Sequence, residues 1–353
     1  MKGPAAYSEP VVAAYGRLVR WRTAVMGLVG CLVATGVIVD IATGPAGLTV
    51  SEILAAIVRV GSVPSQHDVI VWTFRMPTAL MAVVVGAALG VAGAEMQTIL
   101  NNPLASPYTL GVSASASFGA ALAVVLGAGA IPLVETLALP ASAFAMAMLC
   151  SLAIYALARI KGASRETIIL GGVALLFLFN AGVGLLKYVA SEEQLAAITF
   201  WIFGSLQGAT WTKLAVVAGT LAVTGPLLAV HAWKLTALRL GDDRARSLGV
   251  NVRRLRLTTL VLVSLLSAVA VCFVGTIGFI GFVGPHLARI MVGEDQRFLM
   301  PLSGLTGALL LSIASIASKS IFPGAVFPIG IATAFMGVPF FAAMVLLRRR
   351  SYW

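Results

Sequence analysis

Charge is the scarcest property of this sequence. Only 10% of its 353 residues are Asp, Glu, Lys or Arg, whereas 59% are hydrophobic, and the mean hydropathy is +1.00. A water-soluble domain carries about 25% charged residues. No soluble core of this size could bury so many apolar side chains. The scarcity of charge therefore excludes a soluble globular protein and favours an all-α protein that crosses a membrane many times.

Groups that bind metals or perform covalent chemistry are also few. The chain has three histidines and three cysteines, without a C-x-x-C pair or a histidine at ligand spacing near a cysteine. A metal site needs about four ligands close together, and apolar surroundings favour cysteines that act as small buried hydrophobic residues. We therefore expect no metal site, no cofactor and no enzymatic activity. The six residues are His67, His231, His286, Cys31, Cys150 and Cys272.

The chain also lacks a nucleotide-binding motif, since no G-x-x-x-x-G-K-[ST] occurs. If it transports uphill by nucleotide hydrolysis, the energy must enter through a partner chain. The net charge of +11 does not indicate nucleic-acid binding, because the basic residues form short clusters between apolar segments.

Ten apolar segments are long enough, or nearly so, to cross a bilayer. The first, 23–42, is longer than the apolar core of a cleaved signal peptide, so we expect it to be retained. The eighth is short and rich in glycine. The predicted spans are 23–42, 77–100, 109–129, 136–158, 167–189, 213–232, 257–276, 278–293, 299–318 and 329–347.

The basic residues predict the orientation of these spans. With ten spans and both termini in the cytoplasm, nineteen of the 24 basic residues lie on the inner side, as the positive-inside rule requires. This predicts a cytoplasmic tail (1–22), a single transmembrane domain (23–347) and a second cytoplasmic tail (348–353). The five basic residues on the outer side are Arg59, Arg75, Lys187, Lys213 and Lys319.

The second span is followed by a polar break. It carries Gly86, Gly90 and Gly93 on close turns and runs directly into N-N-P-L-A-S-P-Y-T-L-G at 101–111. Backbone that is not helical survives at membrane depth only where protein or a water-filled path covers it. We therefore expect this segment to line a route through the membrane.

The inner loop 234–256 is the longest polar stretch between spans. Gly241 and two aspartates predict a short helix that Gly249 ends, and Asn251 is a good cap for a second short helix. Two short helices meeting at a glycine predict a knob on which a partner docks. The alternative is a plain loop whose arginines only set the topology.

Ionisable residues within the spans are few. Glu95 lies in the second span, and His286 and Arg289 end the eighth on one helical face. Glu95 could line the path or carry protons, or it could be bound to a nearby backbone group; we favour the structural role slightly.

Five blocks in order resemble the FecCD-type permeases of ABC importers, a group that includes BtuC-type cobalamin permeases and permeases for ferric siderophores and haem. The resemblance extends from about Arg75 to the C-terminus. The blocks are N-P-L-A (102–105), L-G-V-S (110–113), S-L-G-V-N (247–251), G-T-I-G-F-I-G-F-V-G-P-H-L-A-R (275–289) and F-P-I-G (327–330).

The resemblance implies a BtuC-like type II importer permease with ten transmembrane helices in a bacterial inner membrane. It also implies a second permease subunit, two cytoplasmic ATPase subunits, and a periplasmic or lipid-anchored binding protein. Asn102 and Leu104 match the cytoplasmic gate, and Arg75 and Lys319 match the residues that dock the binding protein. The residues that match the ATPase-coupling region are Leu240, Gly241, Asp242, Asp243, Arg244, Arg246, Ser247, Leu248, Gly249, Val250 and Asn251.

Two positions depart from the pattern of this family. The usual R-L-P-R is R-M-P-T here, so Thr78 replaces a basic residue, and the usual D-x-x-x-R is Ser315-x-x-x-Lys319. Lysine keeps the charge but loses the bidentate geometry of arginine. We expect docking of a binding protein to be altered at these points.

The sequence thus predicts the permease subunit of an ATP-driven importer for an iron chelate, first of all a ferric siderophore, working by alternating access. Haem or cobalamin is the alternative cargo. A proton-coupled secondary transporter is the alternative from another class, with Glu95 as its carrier.

Overall fold

The structure, a computed structural model, describes residues 8–44, 47–58, 65–127, 132–321 and 326–347. All regular secondary structure in these ranges is helical, with no β-strand. The predicted all-α fold class is therefore confirmed. Residues 1–7 and the tail 348–353 lie outside the described residues.

The described chain forms fifteen α-helices, with a π-helical stretch, Ile70–Arg75, leading into the fourth. The helices are α1 Ser8–Ala42, α2 Val50–Val58, α3 Ser65–Val69, α4 Met76–Leu100, α5 Val112–Val125, α6 Pro132–Lys161, α7 Arg165–Val189, α8 Glu192–Phe203, α9 Trp211–Ala229, α10 Ala232–Leu238, α11 Asp242–Ser247, α12 Val252–Val274, α13 Ile280–Val292, α14 Gln296–Ser320 and α15 Ile329–Leu347.

A helix lies at each of the ten predicted spans. Seven helical segments of the described chain are long and apolar enough to cross a membrane, and α5, α13 and α15 provide shorter apolar stretches. The count of ten crossings therefore stays a prediction. The predicted tail boundary at residue 22 is not a structural break, because α1 is continuous from Ser8.

Glycines allow the central helices to approach one another closely. A Cβ at Gly86 or Gly90 would overlap the backbone carbonyl of Gly307 or Ser303 in α14, and one at Gly93 would overlap Gly281 in α13. Larger residues would force these backbones apart. The small residues of the second span therefore fix α4 as the buried centre of the bundle, in contact with α13 and α14.

Two helices are short because irregular chain completes their crossings. At 1.5 Å per residue, α5 and α13 are each only about 20 Å long, against a hydrocarbon thickness of about 30 Å. The segments 101–111 and 275–279 precede them. Phe279 has a φ of 66°, an unusual left-handed conformation for a bulky residue.

The bundle has two ends. The chain around Arg75, with α2 and α3, lies at one end, which we call the α2 end; α4 leads from there to the end that carries α10 and α11, the α11 end. Outward side chains between the ends include Leu152, Phe177, Val223 and Phe335, which are all more than half exposed. Such a surface fits contact with lipid.

Candidate coupling surface and transport path

The short helix α11 has clear start and stop signals. Gly241 precedes it with a φ of 102°, and Asp242 and Asp243 occupy its first turn, where the helix dipole favours negative charge. At its end, Gly249 adopts a φ of 82° and the Val250 amide donates to the Ala245 carbonyl (3.0 Å). This is the Schellman arrangement, so the predicted ending at Gly249 is confirmed.

Asn251 caps a helix, but a different one from the helix that we predicted. Its side-chain oxygen accepts a hydrogen bond from the Arg254 amide (3.0 Å) and begins the long helix α12. The prediction of a second short helix after Asn251 is therefore wrong. The two short helices are instead α10 and α11, which meet near Gly241, because the apolar run of α12 continues directly from the cap.

One face of α11 and of the turn after it is exposed. Asp243 and Arg246 expose 97% and 62% of their side chains and pair with each other, while Leu240 and Leu248 are each at least half exposed. An exposed pair of this kind contributes little to stability. Arg244, Ser247 and Gly249 complete the exposed face; Ala245 and Val250 are buried beneath it.

Asp242 attaches α11 to the bundle. Both of its oxygens accept from the guanidinium of Arg256 (2.7 Å each), and Arg165 at the start of α7 donates to one of them (2.6 Å). The Arg256 side chain is only 3% exposed. Bidentate pairs between arginine and carboxylate are strong and geometrically specific, so α11 is held at a fixed angle to α7 and α12.

The same arginine reaches two further elements. Arg256 donates to the carbonyl of Ile99 near the end of α4 (2.9 Å) and to that of Ala163 in the turn before α7 (3.3 Å). Burial works against the charged form of Asp242, but the hydrogen bonds and charges of Arg256 and Arg165 outweigh it and hold its pKa below the usual value. We call Asp242, Arg256 and Arg165 the α11 clamp.

A second set of contacts attaches α10. Arg239, which follows α10, donates to Glu294 (2.7 Å) and to the side chain of Asn101 at the end of α4 (3.1 Å). The Gln296 amide at the start of α14 donates to Thr236 (3.1 Å). A displacement of α10 and α11 would therefore move α4, α7, α12 and α14 together.

A cavity of about 720 Å³ opens on one side of the bundle. The irregular segments 101–111 and 275–279 line it with Leu104, Tyr108 and Phe279, and Phe203 and Phe341 face them. Non-helical backbone at membrane depth is tolerated where it lines such a space. The predicted role of the break after α4, to line a route, is consistent with this placement.

The two predicted gate residues have different positions at this cavity. Leu104 is 40% exposed and is part of the cavity lining. Asn102 accepts a hydrogen bond from the Leu104 amide (2.9 Å), and Asn101 ends α4 in a left-handed conformation. Asn102 therefore shapes the turn that presents Leu104; gating itself stays a prediction.

Residues 31–349 match the model of the FecCD transport family. The chain belongs to this family. The hemin transport system permease HmuU of Yersinia pestis is 38% identical over 282 residues, covering 80% of this chain and 84% of that protein. The cobalamin import permease BtuC of Halobacterium salinarum is 35% identical over 290 residues, covering 82% and 76%. The chain is thus a multi-pass membrane permease of the ABC transporter class.

A solved structure agrees with this assignment. It is an inward-facing transporter that its description assigns provisionally to the metal-chelate type, with a TM-score of 0.79 and 28% identity. The match covers 92% of this FecCD permease and 99% of that chain. The recognised family and the BtuC-like fold are therefore confirmed.

At the α2 end of the permease, Arg75 faces inward. Its side chain donates to the carbonyls of Ile41 (2.9 Å) and Ala42 (3.2 Å) at the end of α1, and the residue is only 6% exposed. Thr78, one turn later, bonds to the Phe74 carbonyl (2.7 Å) and is also buried. Arg75 therefore ties α1 to α4, and docking of a binding protein through it stays a prediction.

Lys319, the other predicted docking residue, has a partner inside the chain. Its ammonium donates to a carboxylate oxygen of Asp40 in α1 (2.7 Å), and Ser315 donates to both oxygens of that carboxylate (3.0 Å). Asp40 is fully buried. The acidic group that the family pattern places at position 315 is thus supplied by α1 in this permease. We call these residues the Asp40 cluster.

Glu95 is fully buried in α4, and neither carboxylate oxygen has a hydrogen-bond partner among the described residues. The predicted bond to a neighbouring backbone group is therefore wrong.

The ring of His286 stacks on Phe282 of the cavity lining at a centroid distance of 6.5 Å. Among the described residues, no three His, Cys, Asp or Glu side chains come close enough to hold a metal ion.

The residues that fasten the helices at each end of the bundle were not predicted from the sequence. Arg256 and Arg165 were treated only as positive charge on the inner side, and Asp40 was overlooked within the first span. A possible signal was present in each case: an arginine on the apolar face of α12, and a carboxylate in an otherwise apolar segment, each of which needs a partner.

Proposed function

We propose that this permease is the membrane subunit of an ATP-driven importer that moves an iron chelate, first of all a ferric siderophore, by alternating access. The cavity is the half of the path that one subunit contributes. The exposed face of α11 receives the movement of an ATPase. The α11 clamp passes that movement to the helices around the path.

One observation carries this proposal. At the α11 end, α11 is exposed on one face and fastened to the bundle by the buried Arg256. No other short helix in the described part of the chain at this end combines these two features. Arg256 joins α11 to α12 and to the end of α4, and the chain that continues from α4 lines the cavity. Force applied to α11 therefore has a direct structural route to the cavity wall.

The proposed assembly contains two permease subunits, two cytoplasmic ATPase subunits and a binding protein on the outer face. The cavity is open on one side and lined by exposed apolar groups such as Leu104 and Phe341. A second permease facing it would enclose a central path. The proposed orientation places the α11 end and both termini in the cytoplasm, as the basic residues favour.

We propose an iron chelate as the cargo because a bulky metal chelate agrees with the cargoes named for the relatives and with the size of the cavity. The relatives named above are a hemin permease and a cobalamin permease, so haem and cobalamin are the alternatives. A cavity of about 720 Å³, lined mainly by apolar groups, fits a bulky chelate better than a bare ion. A path with few charged groups does not require tight binding of the cargo.

Reconstitution tests the proposal. The permease is placed in liposomes with its ATPase and binding-protein partners, and uptake of a ⁵⁵Fe-labelled hydroxamate siderophore, hemin and cyanocobalamin is measured in parallel. We expect uptake only with ATP and all subunits, with the siderophore transported fastest. Uptake by the permease alone, without ATP, would contradict the proposed mechanism; faster uptake of hemin or cyanocobalamin would change the cargo only.

The second candidate function is proton-coupled transport, which is favoured by the buried carboxyl of Glu95, since no described residue forms a hydrogen bond with it. Such a transporter would need Glu95 to exchange protons with the path. Uptake that is lost in Glu95→Gln and independent of the ATPase would support this alternative. Uptake that is kept in Glu95→Gln would exclude it.

A further inference from the structure

A second cavity, of about 620 Å³, lies on the outside of the bundle at the α11 end, between α6 and α12. It is distinct from the proposed path, since the two share no lining residue. Its rim carries Arg159 from the last turn of α6 and Arg253 and Arg254 from the first turn of α12. We call it the arginine groove.

The three arginines form an uncompensated cationic cluster. Each is exposed, and none forms a salt bridge with an acidic residue of the described chain. The guanidinium of Arg253 extends across the groove and donates to the Arg159 carbonyl (2.5 Å). Asp242 of the α11 clamp is already bound by Arg256 and Arg165. An anionic group would therefore supply the missing charge.

Below this rim the groove becomes mainly apolar, with Thr258 as its one polar lining residue on that stretch of α12. Leu257, Val261 and Leu262 follow Arg254 along α12, and Tyr155 lies one turn before Arg159 on α6. From Arg254 to Val261 the helix descends about 10 Å, towards the middle of the membrane. A ligand that fits must be anionic at one end and apolar along the next 10 Å or so.

We propose that the arginine groove binds an anionic phospholipid, with its phosphate on Arg159, Arg253 and Arg254 and an acyl chain along Leu257 and Val261. Basic pockets between transmembrane helices bind acidic headgroups, and tyrosine favours the level of the headgroups. An acidic segment of a partner protein would match the rim but would not need the apolar floor. The lipid is therefore the better fit.

Bound lipid would brace the start of α12. The groove lies next to the cap at Asn251 and within one turn of Arg256, so its occupant touches the helix to which α11 is fastened. This inference does not depend on the cargo or on the direction of transport.

The test uses the purified full-length permease and native mass spectrometry. Dioleoyl phosphatidylglycerol is titrated against the parent, the double variant Arg159→Gln/Arg254→Gln, and the control Arg17→Gln/Arg20→Gln, which loses equal charge from the exposed surface of α1. We expect binding to weaken by about tenfold or more in the groove variant and to stay unchanged in the control. Equal binding by all three proteins would overturn the proposal.

A second variant keeps the charges and fills the floor. Val261 is 40% exposed, and Val261→Trp should reduce binding of phosphatidylglycerol by obstructing the acyl chain. Dioleoyl phosphatidylcholine tests whether the headgroup must be anionic, and soluble glycerol 1-phosphate tests whether an acyl chain is needed. We expect both to bind at least tenfold more weakly than phosphatidylglycerol.

Four further results would also overturn the assignment. Equal binding of phosphatidylcholine would remove the role of the charge, and equal binding of glycerol 1-phosphate would indicate a simple phosphate site. Unchanged phosphatidylglycerol binding in Val261→Trp would remove the apolar floor. Loss of ATPase association in the groove variant with unchanged lipid binding would make the groove a protein contact instead.

Discussion

The two ends of this permease use the same chemistry for different purposes. At the α2 end, the carboxylate of Asp40 is fully buried and binds Lys319 and Ser315. At the α11 end, the carboxylate of Asp242 is one quarter exposed and binds Arg256 and Arg165. One ion pair is enclosed by long helices, whereas the other fastens a short helix that presents an exposed face.

This difference separates packing from coupling. The Asp40 cluster joins two long helices, α1 and α14, and does not include a short surface helix. The α11 clamp joins a surface helix to the end of α4 and to α12. We therefore expect changes within the Asp40 cluster to alter stability alone. Changes at the α11 end should alter stability where the side chain is buried and transport where it is exposed.

The largest effect should come from Arg256→Ala. This change leaves Asp242 without its bidentate partner and leaves the carbonyls of Ile99 and Ala163 without a donor. Breaking a buried pair on one side costs about 3–5 kcal/mol, so thermal unfolding should occur at lower temperature and uptake should be lost. Arg246→Ala, with 62% of its side chain exposed, is the control for stability. Equal melting temperatures for the two variants would contradict the clamp.

Lys319→Met should have the next largest effect, confined to stability. Asp40 would remain buried with only Ser315 as a partner, at a cost of about 3 kcal/mol. The double variant Asp40→Asn/Lys319→Met should recover part of that loss, because no buried charge is left unpaired. Binding-protein affinity, measured on protein that is still folded, should change little. Lost affinity with unchanged melting would show instead that Lys319 docks the partner.

Arg244→Glu with Arg246→Glu should act on transport alone. Both side chains are exposed on α11, so the fold does not depend on them, while reversal of their charge would repel the surface that they contact. We expect uptake in vesicles to fall by about tenfold or more, equivalent to about 1.4 kcal/mol, with ATP hydrolysis uncoupled from it. Unchanged uptake would remove the docking role of α11.

A smaller effect should appear in the pH dependence of stability. The clamp lowers the pKa of Asp242, so its contribution is fully present above the unfolded pKa of about 3.9 and is lost as the pH falls through the lower, folded value. The difference in melting temperature between the parent and Asp242→Asn should be constant above about pH 5 and shrink below about pH 4. A difference that does not shrink at all as the pH falls from 5 to 3 would argue against the ion pair.

Glu95→Gln should have the smallest effect of all. The carboxyl has no hydrogen-bond partner in the described part of the chain, and glutamine has nearly the same shape, so ATP-driven uptake should stay within about twofold of the parent. Glu95→Asp, which shortens the side chain but keeps its acidity, is the matched control. Uptake lost in Glu95→Gln and kept in Glu95→Asp would favour a proton carrier.

Local patterns were predictable from the sequence. The glycines of α4, the short helix after Gly241 and its end at Gly249 each follow from the conformations that a few neighbouring residues allow. The polar break after α4 could also be assigned to a path, because unpaired backbone cannot face lipid.

Long-range pairing was not predictable in the same way. Lys319 and Asp40 are 279 residues apart, and Arg256 and Ile99 are 157 apart, so no spacing rule connects them. The family pattern alone favoured an outward role for Lys319, since it gave no reason to expect a substitute carboxylate on α1. The short length of α5 was missed because hydropathy alone does not distinguish apolar helix from apolar irregular chain, whereas that of α13 was expected.

Thiol accessibility at Ser247 is the most direct test of the proposal that an ATPase docks on α11 at the cytoplasmic face. Cys31, Cys150 and Cys272 are replaced by serine or alanine, Ser247→Cys is introduced on the exposed face of α11, and a membrane-impermeant maleimide is applied to vesicles of known orientation. We expect labelling from the cytoplasmic side only, with protection when the ATPase is bound. Labelling from the outer side, or equal labelling with and without the ATPase, would contradict this proposal.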